Sequence, residues 1–195
     1  MALADYTDLQ AAIAHWSARV DMVPYTPDFI TLAEAEFNRR LRCSQQETSA
    51  IVYVVDGVGS LHTDYLEFRS VRDGDTNLEY MAPETFNKWR SLKSDRPLTF
   101  YTVQGDQLLT LGAGTGELSV TYYAKIPALA DNGSNWLLSR HPNVYLYRSL
   151  MELAVFVKDD AGAARYGAIA DRGLREVMTD DQNRKHSTGL TVHVS

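Results

Sequence analysis

Apolar side chains recur first at helical spacing. Leu9, Ile13, Trp16 and Val20 fall on one stripe, and Thr7 with Gln10 fits a capping box, so the spacing predicts a helix from about Asp8 to Val20. Pro24 closes that segment. Thr26-Pro27-Asp28 opens a second helix with a capping hydroxyl, a proline at the first helical position and an acid beside the positive helix end. This helix runs to about Arg42, with Ile30, Ala33, Phe37 and Leu41 as its buried line and Glu34, Asn38 and Arg39 facing elsewhere. Arg39, Arg40 and Arg42 sit where a helix C-terminus favours cations.

From about Ala50 the period changes to two. The runs IVYVV, LEFRSV and LEYM around Tyr80 read as short strands separated by Asp-Gly and Gly-Asp turns. Ala82-Pro83-Glu84 begins a short helical turn carrying Phe86 and Trp89. Beyond Pro97, LTFYTV and QLLTL are joined by Gln104-Gly105-Asp106-Gln107, the signature of a tight hairpin. ELSVTYYAK follows as a last strand, with Leu118, Val120 and Tyr122 on one face. Residues 126 to 142, with Pro127, Asn132-Gly133 and Pro142, read as a connecting loop anchored by Trp136-Leu137-Leu138.

Helical spacing then returns. Val144, Tyr147, Leu150, Met151, Ala154 and Val157 define a third helix. After Asp159-Asp160 a fourth, about 20 residues or roughly 30 Å long, carries Ala164, Ala168, Asp171, Arg175 and Met178 on its line, and its alanines and glycines permit close packing. The tail HSTGLTVHVS alternates at Leu190, Val192 and Val194 with no later strand to pair with. The expected fold is α+β: a four-helix bundle core with a small antiparallel β module inserted between helices 2 and 3, and an extended C-terminal arm. By residue, 1–45 with 140–183 form the helical core, 46–139 the β-rich insertion and connecting loop, and 184–195 the arm.

Composition narrows the class. The 195 residues are 45% hydrophobic and 23% charged, ordinary for a globular chain, and the single cysteine, Cys43, leaves no internal disulfide framework. The net charge of −6 argues against a non-specific nucleic-acid binder. It is unevenly spread: 4 basic and 6 acidic side chains over residues 1–45, 7 and 11 over 46–127, and 8 of each over 128–195. MALADYTDLQ has neither the basic region nor the apolar run of a signal peptide, and no window reaches the roughly 18 apolar residues of a membrane span, so synthesis and use in the cytoplasm and no membrane contact are expected.

Candidate chemistry is sparse. Gly112-Ala113-Gly114-Thr115-Gly116 fails as a phosphate cradle because a strand rather than a helix follows it, and a hairpin loop is the better reading. His15, His62, His141, His186 and His193 make no metal-ligand spacing, and no Gly-x-Ser-x-Gly elbow exists. Cys43 follows a helix C-terminus, where a thiolate is disfavoured, and reads as a structural thiol. Asp159-Asp160 and Asp180-Asp181 read as helix boundaries, and Asn132-Gly133-Ser134 as an Asn-Gly turn. The basic group Arg172, Arg175, Arg184, Lys185 and His186 reads first as a solvated helix face and second as a surface for an acidic partner or DNA. No catalytic, cofactor or metal site is selected.

Five strings in order give a resemblance. FITLAEAEFNRRLRC, YLEFRSVR, GDQLLTLGAG before ELSVTYYAKIPALAD, NWLLSRHPNVYLYRSLMELAVFVKDD and AARYGAIADRGLREV together resemble tailed-bacteriophage head-to-tail adaptor proteins, from about Phe29 to Val177. The resemblance implies a structural virion protein and no enzyme: a ring of about twelve copies under the portal that extends the DNA channel and offers a platform for the tail. It implies the portal and a tail or nozzle protein as partners, DNA passing without sequence-specific binding, and a location in the virion neck. It further implies a C-terminal arm that docks on the portal, here Arg184, Lys185, Leu190, Val192 and Val194. Monomers in isolation fit a ring templated by the portal. The alternatives are another neck component, such as a head-completion or tail-terminator subunit, a small enzyme whose site is assembled from distant residues, and a DNA-binding module at the basic end of the fourth helix.

Overall fold

The computed structural model describes residues 3–91, 99–111 and 115–187. Two compact units divide the chain. Met1–Gln45 and Ile126–Ser195 form a helical unit, and Gln46–Lys125 forms a sheet unit. Each has its own apolar cluster.

The helical unit begins with α1 (Tyr6–Ser17), a 3-10 segment at Val20–Tyr25, and α2 (Thr26–Arg40). The capping side chain of α1 is Asp5, which accepts from Asp8 N, in place of the expected Thr7 box. In α2 the expected line of Ile30, Ala33, Phe37 and Leu41 is fully buried. Arg42 Nη1 donates to the carbonyls of Asn38 and Leu41, which closes the C-terminal end of that helix. The stretch expected as a connecting loop holds two short helices, α4 (Leu129–Asn132) and α5 (Trp136–Arg140), and Leu129, Leu137 and Leu138 are fully buried in the helical core.

Two long helices follow, α6 (Pro142–Phe156) and α7 (Asp160–Ser187). Val144, Tyr145, Leu146, Ser149, Leu150, Leu153 and Ala154 are all buried on α6. At about 100° per residue these cover most of the helix circumference, as a central element requires. Accordingly α6 packs against α1, α2, α5 and α7, while the principal neighbour of α7 is α6 alone. The buried face of α7 is Ala170, Leu174, Val177 and Asp181. The expected line through Ala164, Ala168 and Arg175 is solvent-exposed. Close approach is set at Gly173, where an added Cβ would lie 2.9 Å from Val144 Cγ2.

The sheet unit is larger and differently joined than a small antiparallel module. Its strands are β1 (Glu47–Val55), β2 (Val58–Ser60), β3 (Tyr65–Asp73), β4 (Thr76–Asn77), β5 (Glu79–Tyr80), β6 (Phe100–Gln104), β7 (Gln107–Thr110) and β8 (Gly116–Ala124), with α3 (Pro83–Ser91) before β6. They form one eight-stranded sheet ordered β4-β3-β8-β1-β2-β7-β6-β5. The tight turns fall where expected. Asp56-Gly57 joins Val55 to Val58 with both residues at positive φ, and Gly105 at φ +59 joins the paired Gln104 and Gln107. The strands on either side of the Gly-rich stretch, β7 and β8, are not neighbours in the sheet, so they are not the two arms of the expected hairpin; residues 112–114 lie outside the described residues.

Closure is the main departure. Through the sheet, β3 and β6 are five strand spacings apart, about 24 Å if flat. Yet the rings of Phe68 and Tyr101 are 5.7 Å apart. The sheet has curled until its ends meet at the segment Thr76–Tyr80. The first half of that segment pairs with β3 and the second half runs parallel to β6, with Leu78 N donating to Val71 O and Met81 N to Tyr101 O, both at 2.8 Å. The expectation of a four-helix core with a small antiparallel insert is therefore corrected: among the described residues the chain is α+β, with a nearly closed, barrel-like mixed sheet and seven helices. Local periodicity located the strands, but the pairing of β8 with both β1 and β3 is non-local and leaves no local signal. The first four residues assigned to the arm are helical, since α7 continues to Ser187, and residues 188–195 lie outside the described residues.

The sheet unit starts and finishes side by side. Glu47 pairs with Tyr123 at the root of the β1–β8 ladder, and Gln46 Nε2 donates to Ala124 O at 3.2 Å.

Candidate functional site

The arm residues are only partly in view. Arg184 lies exposed near the end of α7, Lys185 is within the helix, and Leu190, Val192 and Val194 lie outside the described residues. At this end of the helical unit the Gln45 side-chain oxygen, in its satisfied orientation, accepts from Arg140 Nη1 at 3.1 Å and Arg184 Nη1 at 2.5 Å. Burial, together with these two guanidinium groups, holds the His141 imidazole below its ordinary pKa, against the pull of Asp180 and Glu176. Asp181, expected at a helix boundary, is instead buried within α7 and accepts from Ser44 N at 2.8 Å and Ser44 Oγ at 2.5 Å. These bonds tie the chain leaving α2 to α7.

A second polar group lies deep in the helical unit. Glu34, expected on an outward face, is buried, and its Oε1 accepts from Leu129 N at 2.8 Å and from the Tyr145 hydroxyl at 3.3 Å. Asn135 donates to that hydroxyl at 2.7 Å and to Pro127 O at 2.8 Å, while its own oxygen caps α5 through Leu138 N. Burial pushes the Glu34 carboxyl and the Tyr145 phenol above their ordinary values, opposed in Glu34 by the two bonds it accepts. A raised carboxyl beside a phenol resembles acid-base machinery, but the main-chain partners of this group, Leu129 N, Pro127 O and Leu138 N, all lie in the linker and the short helices it holds. The arrangement fastens residues 127–135 to α2, and Asn38 does the same for Ile126 N at 2.8 Å. Of these residues, all missed from sequence, Asn135 alone carried a local signal, since an Asn before a short apolar run favours a helix cap.

Ion pairs join the long helices. Glu36 accepts from Arg39 and from Arg40 Nη1, and the same Arg40 nitrogen reaches Asp171 on α7 at 2.5 Å. Arg148 pairs with Glu152 at 2.9 Å along α6. Of the arginines read from sequence as serving the helix end, Arg40 thus also bridges α2 to α7.

What remains unexplained by folding is exposed apolar surface. Trp16 and Val20, expected in the core, are 51% and 83% exposed. Val23, Tyr25, Leu32, Val155 and Phe156 are also substantially exposed, and Phe156 packs 5.6 Å from both Tyr25 and Phe29, so part of this surface is contiguous. On the sheet unit, Ile51, Tyr53 and Val55 form a bare stripe on the outer face of β1, alternating with the inward-facing Val52 and Val54. Surfaces of this kind mark contacts with other proteins.

A cavity of about 50 Å³, lined by Val54, Asp73, Thr110 and Leu118 among others, lies at one end of the curled sheet. It has room for water beside the buried, otherwise unpartnered Thr110 hydroxyl. Among the described residues no group of three His, Cys, Asp or Glu side chains is placed to hold a metal ion, and no helix is long and apolar enough to cross a membrane. His62 stacks on Tyr122 with ring centroids 5.5 Å apart, and Cys43 is fully buried.

The family model described as SU10 adaptor protein matches residues 4–193, nearly the whole chain. No curated protein matches.

Proposed function

The chain belongs to the SU10 adaptor protein family, a family of phage head-to-tail adaptors, and from that premise we propose that it assembles as a ring under the portal and joins the portal to the tail. The ring would hold about twelve copies, extend the DNA channel and act without catalysis. The observation that carries this reading is the family match, supported by exposed apolar surface on both units: Trp16, Val20, Tyr25 and Phe156 among others on the helical unit, and the Ile51, Tyr53 and Val55 stripe on the sheet unit. A cyclic ring needs a heterologous contact, in which one patch meets a different patch of the next copy. The acidic balance of the chain suits a wall that DNA slides past, because retention scales with the phosphates neutralised.

Mass measurement of the purified protein with and without portal is the test. Monomer alone and ring with portal is the expected result, and a protein that never joins the portal removes the assignment. The arm is tested by deleting residues 188–195, which leaves α7 and the Arg184–Gln45 bond in place. Docking should be lost, and unimpaired docking would assign that role elsewhere. Cryo-electron microscopy of virions locates the ring, and density at the distal tail would contradict a neck position.

A further inference from the structure

Curling brings distant strands to one cavity. Asp73 ends β3 and Thr110 ends β7, four strand spacings apart in the sheet, or about 19 Å if it were flat. Both line the cavity of about 50 Å³, together with Val54, Gly116, Glu117 and Leu118. Strand alternation says which side chains belong to its interior. Thr110 has the parity of Leu108 and Asp73 that of Val71, and both of those apolar residues are buried in the sheet cluster. Gly116 has the parity of Leu118, and an added Cβ there would meet nothing within 4 Å. Part of the cavity is thus space that a side chain at position 116 would take.

Two features point to an occupant. The Thr110 hydroxyl, in a residue only 4% exposed, has no hydrogen-bond partner, which is costly for a buried polar group. Asp73 is exposed at the mouth, and Glu117 stands beside it on the outer face of β8. Among the described residues neither carboxylate makes an ion pair, and no lysine or arginine lines the cavity. Arg72, the neighbour of Asp73 on β3, has the opposite parity, and its Nη2 donates to Asp75 O at 3.4 Å. Water alone would satisfy the hydroxyl, whereas a cation would also answer the negative charge. Carboxylate and hydroxyl oxygens are hard donors, which favour calcium or magnesium over zinc. With fewer than three acidic, imidazole or thiol ligands the ion must keep part of its water, and the cavity has room for it. An irregular oxygen set suits calcium, whose coordination is flexible, better than magnesium, which demands near-ideal octahedral geometry.

We propose that this end of the curled sheet binds a calcium ion, held by the Asp73 carboxylate, the Thr110 hydroxyl oxygen and retained water, with Glu117 adding charge at the rim. The ion ties β3 to β7, which share no ladder, and so fastens the curl from the side opposite the seam at Thr76–Tyr80. This goes beyond the adaptor reading and does not depend on it.

Calcium chloride titrated into the full-length protein is the test, followed by calorimetry and by NMR of the Thr110 methyl group and the amides of Asp73, Gly116 and Leu118. One site per chain is expected, with a Kd of about 0.1–1 mM, as for weak oxygen-ligand calcium sites. Shifts should concentrate at those four residues. Asp73→Asn and Thr110→Val should each weaken binding by about tenfold or more, and Glu117→Gln by about threefold or less. Thr110→Val removes a hydroxyl that has no partner and keeps the side-chain shape, so its amide spectrum without calcium should remain that of the folded wild type. Potassium chloride at matched ionic strength should leave the four signals in place. Absence of shifts up to 10-fold above the expected Kd would mean that water alone fills the cavity and would overturn the proposal. Equal affinity in Asp73→Asn or in folded Thr110→Val would also overturn it, as would the same shifts with potassium, which would show charge screening in place of a site.

Discussion

Glu34 shows how a single residue escapes pattern reading. A glutamate between Ala33 and Ala35 is normally turned to water, and only the arrival of Leu129 N and the Tyr145 hydroxyl makes its burial tolerable. Neither donor is near it in sequence. Its raised pKa has a consequence for stability. Above the ordinary value of 4.5, and up to the raised native value, the folded state holds more protons than the unfolded one. Stability should therefore fall as pH rises through that window, by up to about 1.4 kcal/mol per unit. Glu34→Gln keeps an oxygen for both donors and removes the titration. Urea midpoints measured across the window should decline for the wild type and change less for the variant, and parallel profiles would show that Glu34 is not linked.

At the scale of elements, α2 was legible because Ile30, Ala33, Phe37 and Leu41 are apolar at the right spacing and nothing else in that segment competes. The face of α7 was not. Its line holds only two strongly apolar residues, Leu174 and Val177; the rest are Ala170 and Gly173, which carry little hydrophobic signal, and Asp181, which carries the opposite one. In the sheet unit the two-residue turns were legible from Asp-Gly and Gly-Asp, whereas the seam at Thr76–Tyr80 was not, because one extended segment serves two different strands. That segment is held inward by Leu78, which is buried in the sheet cluster. Leu78→Ala should destabilise the unit by about 2–5 kcal/mol. Hydrogen exchange should speed first at the amides of Glu79 and Met81, which bond across the seam, while the β1–β8 ladder stays protected. Uniform loss of protection over all strands would show that the seam does not open by itself.

At the scale of the whole molecule, family membership was legible from ordered strings, while the exposed apolar surface was hidden by the rule that apolar residues lie inside, which misassigned Trp16 and Val20. Separate apolar clusters predict separate unfolding transitions. Gly59→Ala places a Cβ 2.6 Å from Val52 Cγ1 and should cost the sheet unit about 1–3 kcal/mol. Leu174→Ala should act on the helical unit. Calorimetry should show each variant moving one transition, and a single transition that moves as a whole in both would show that the units unfold together. The pairing of Glu47 with Tyr123 adds a consequence of another kind. Because residues 46–125 leave and rejoin the chain across one strand pair, their two ends are held together as at the stem of a short hairpin. Closing that loop has the entropy cost of a turn once the stem has formed. The whole sheet unit is thus spliced into the chain as a hairpin loop is, so a change of length inside it should add little to the entropy of closing the chain around it.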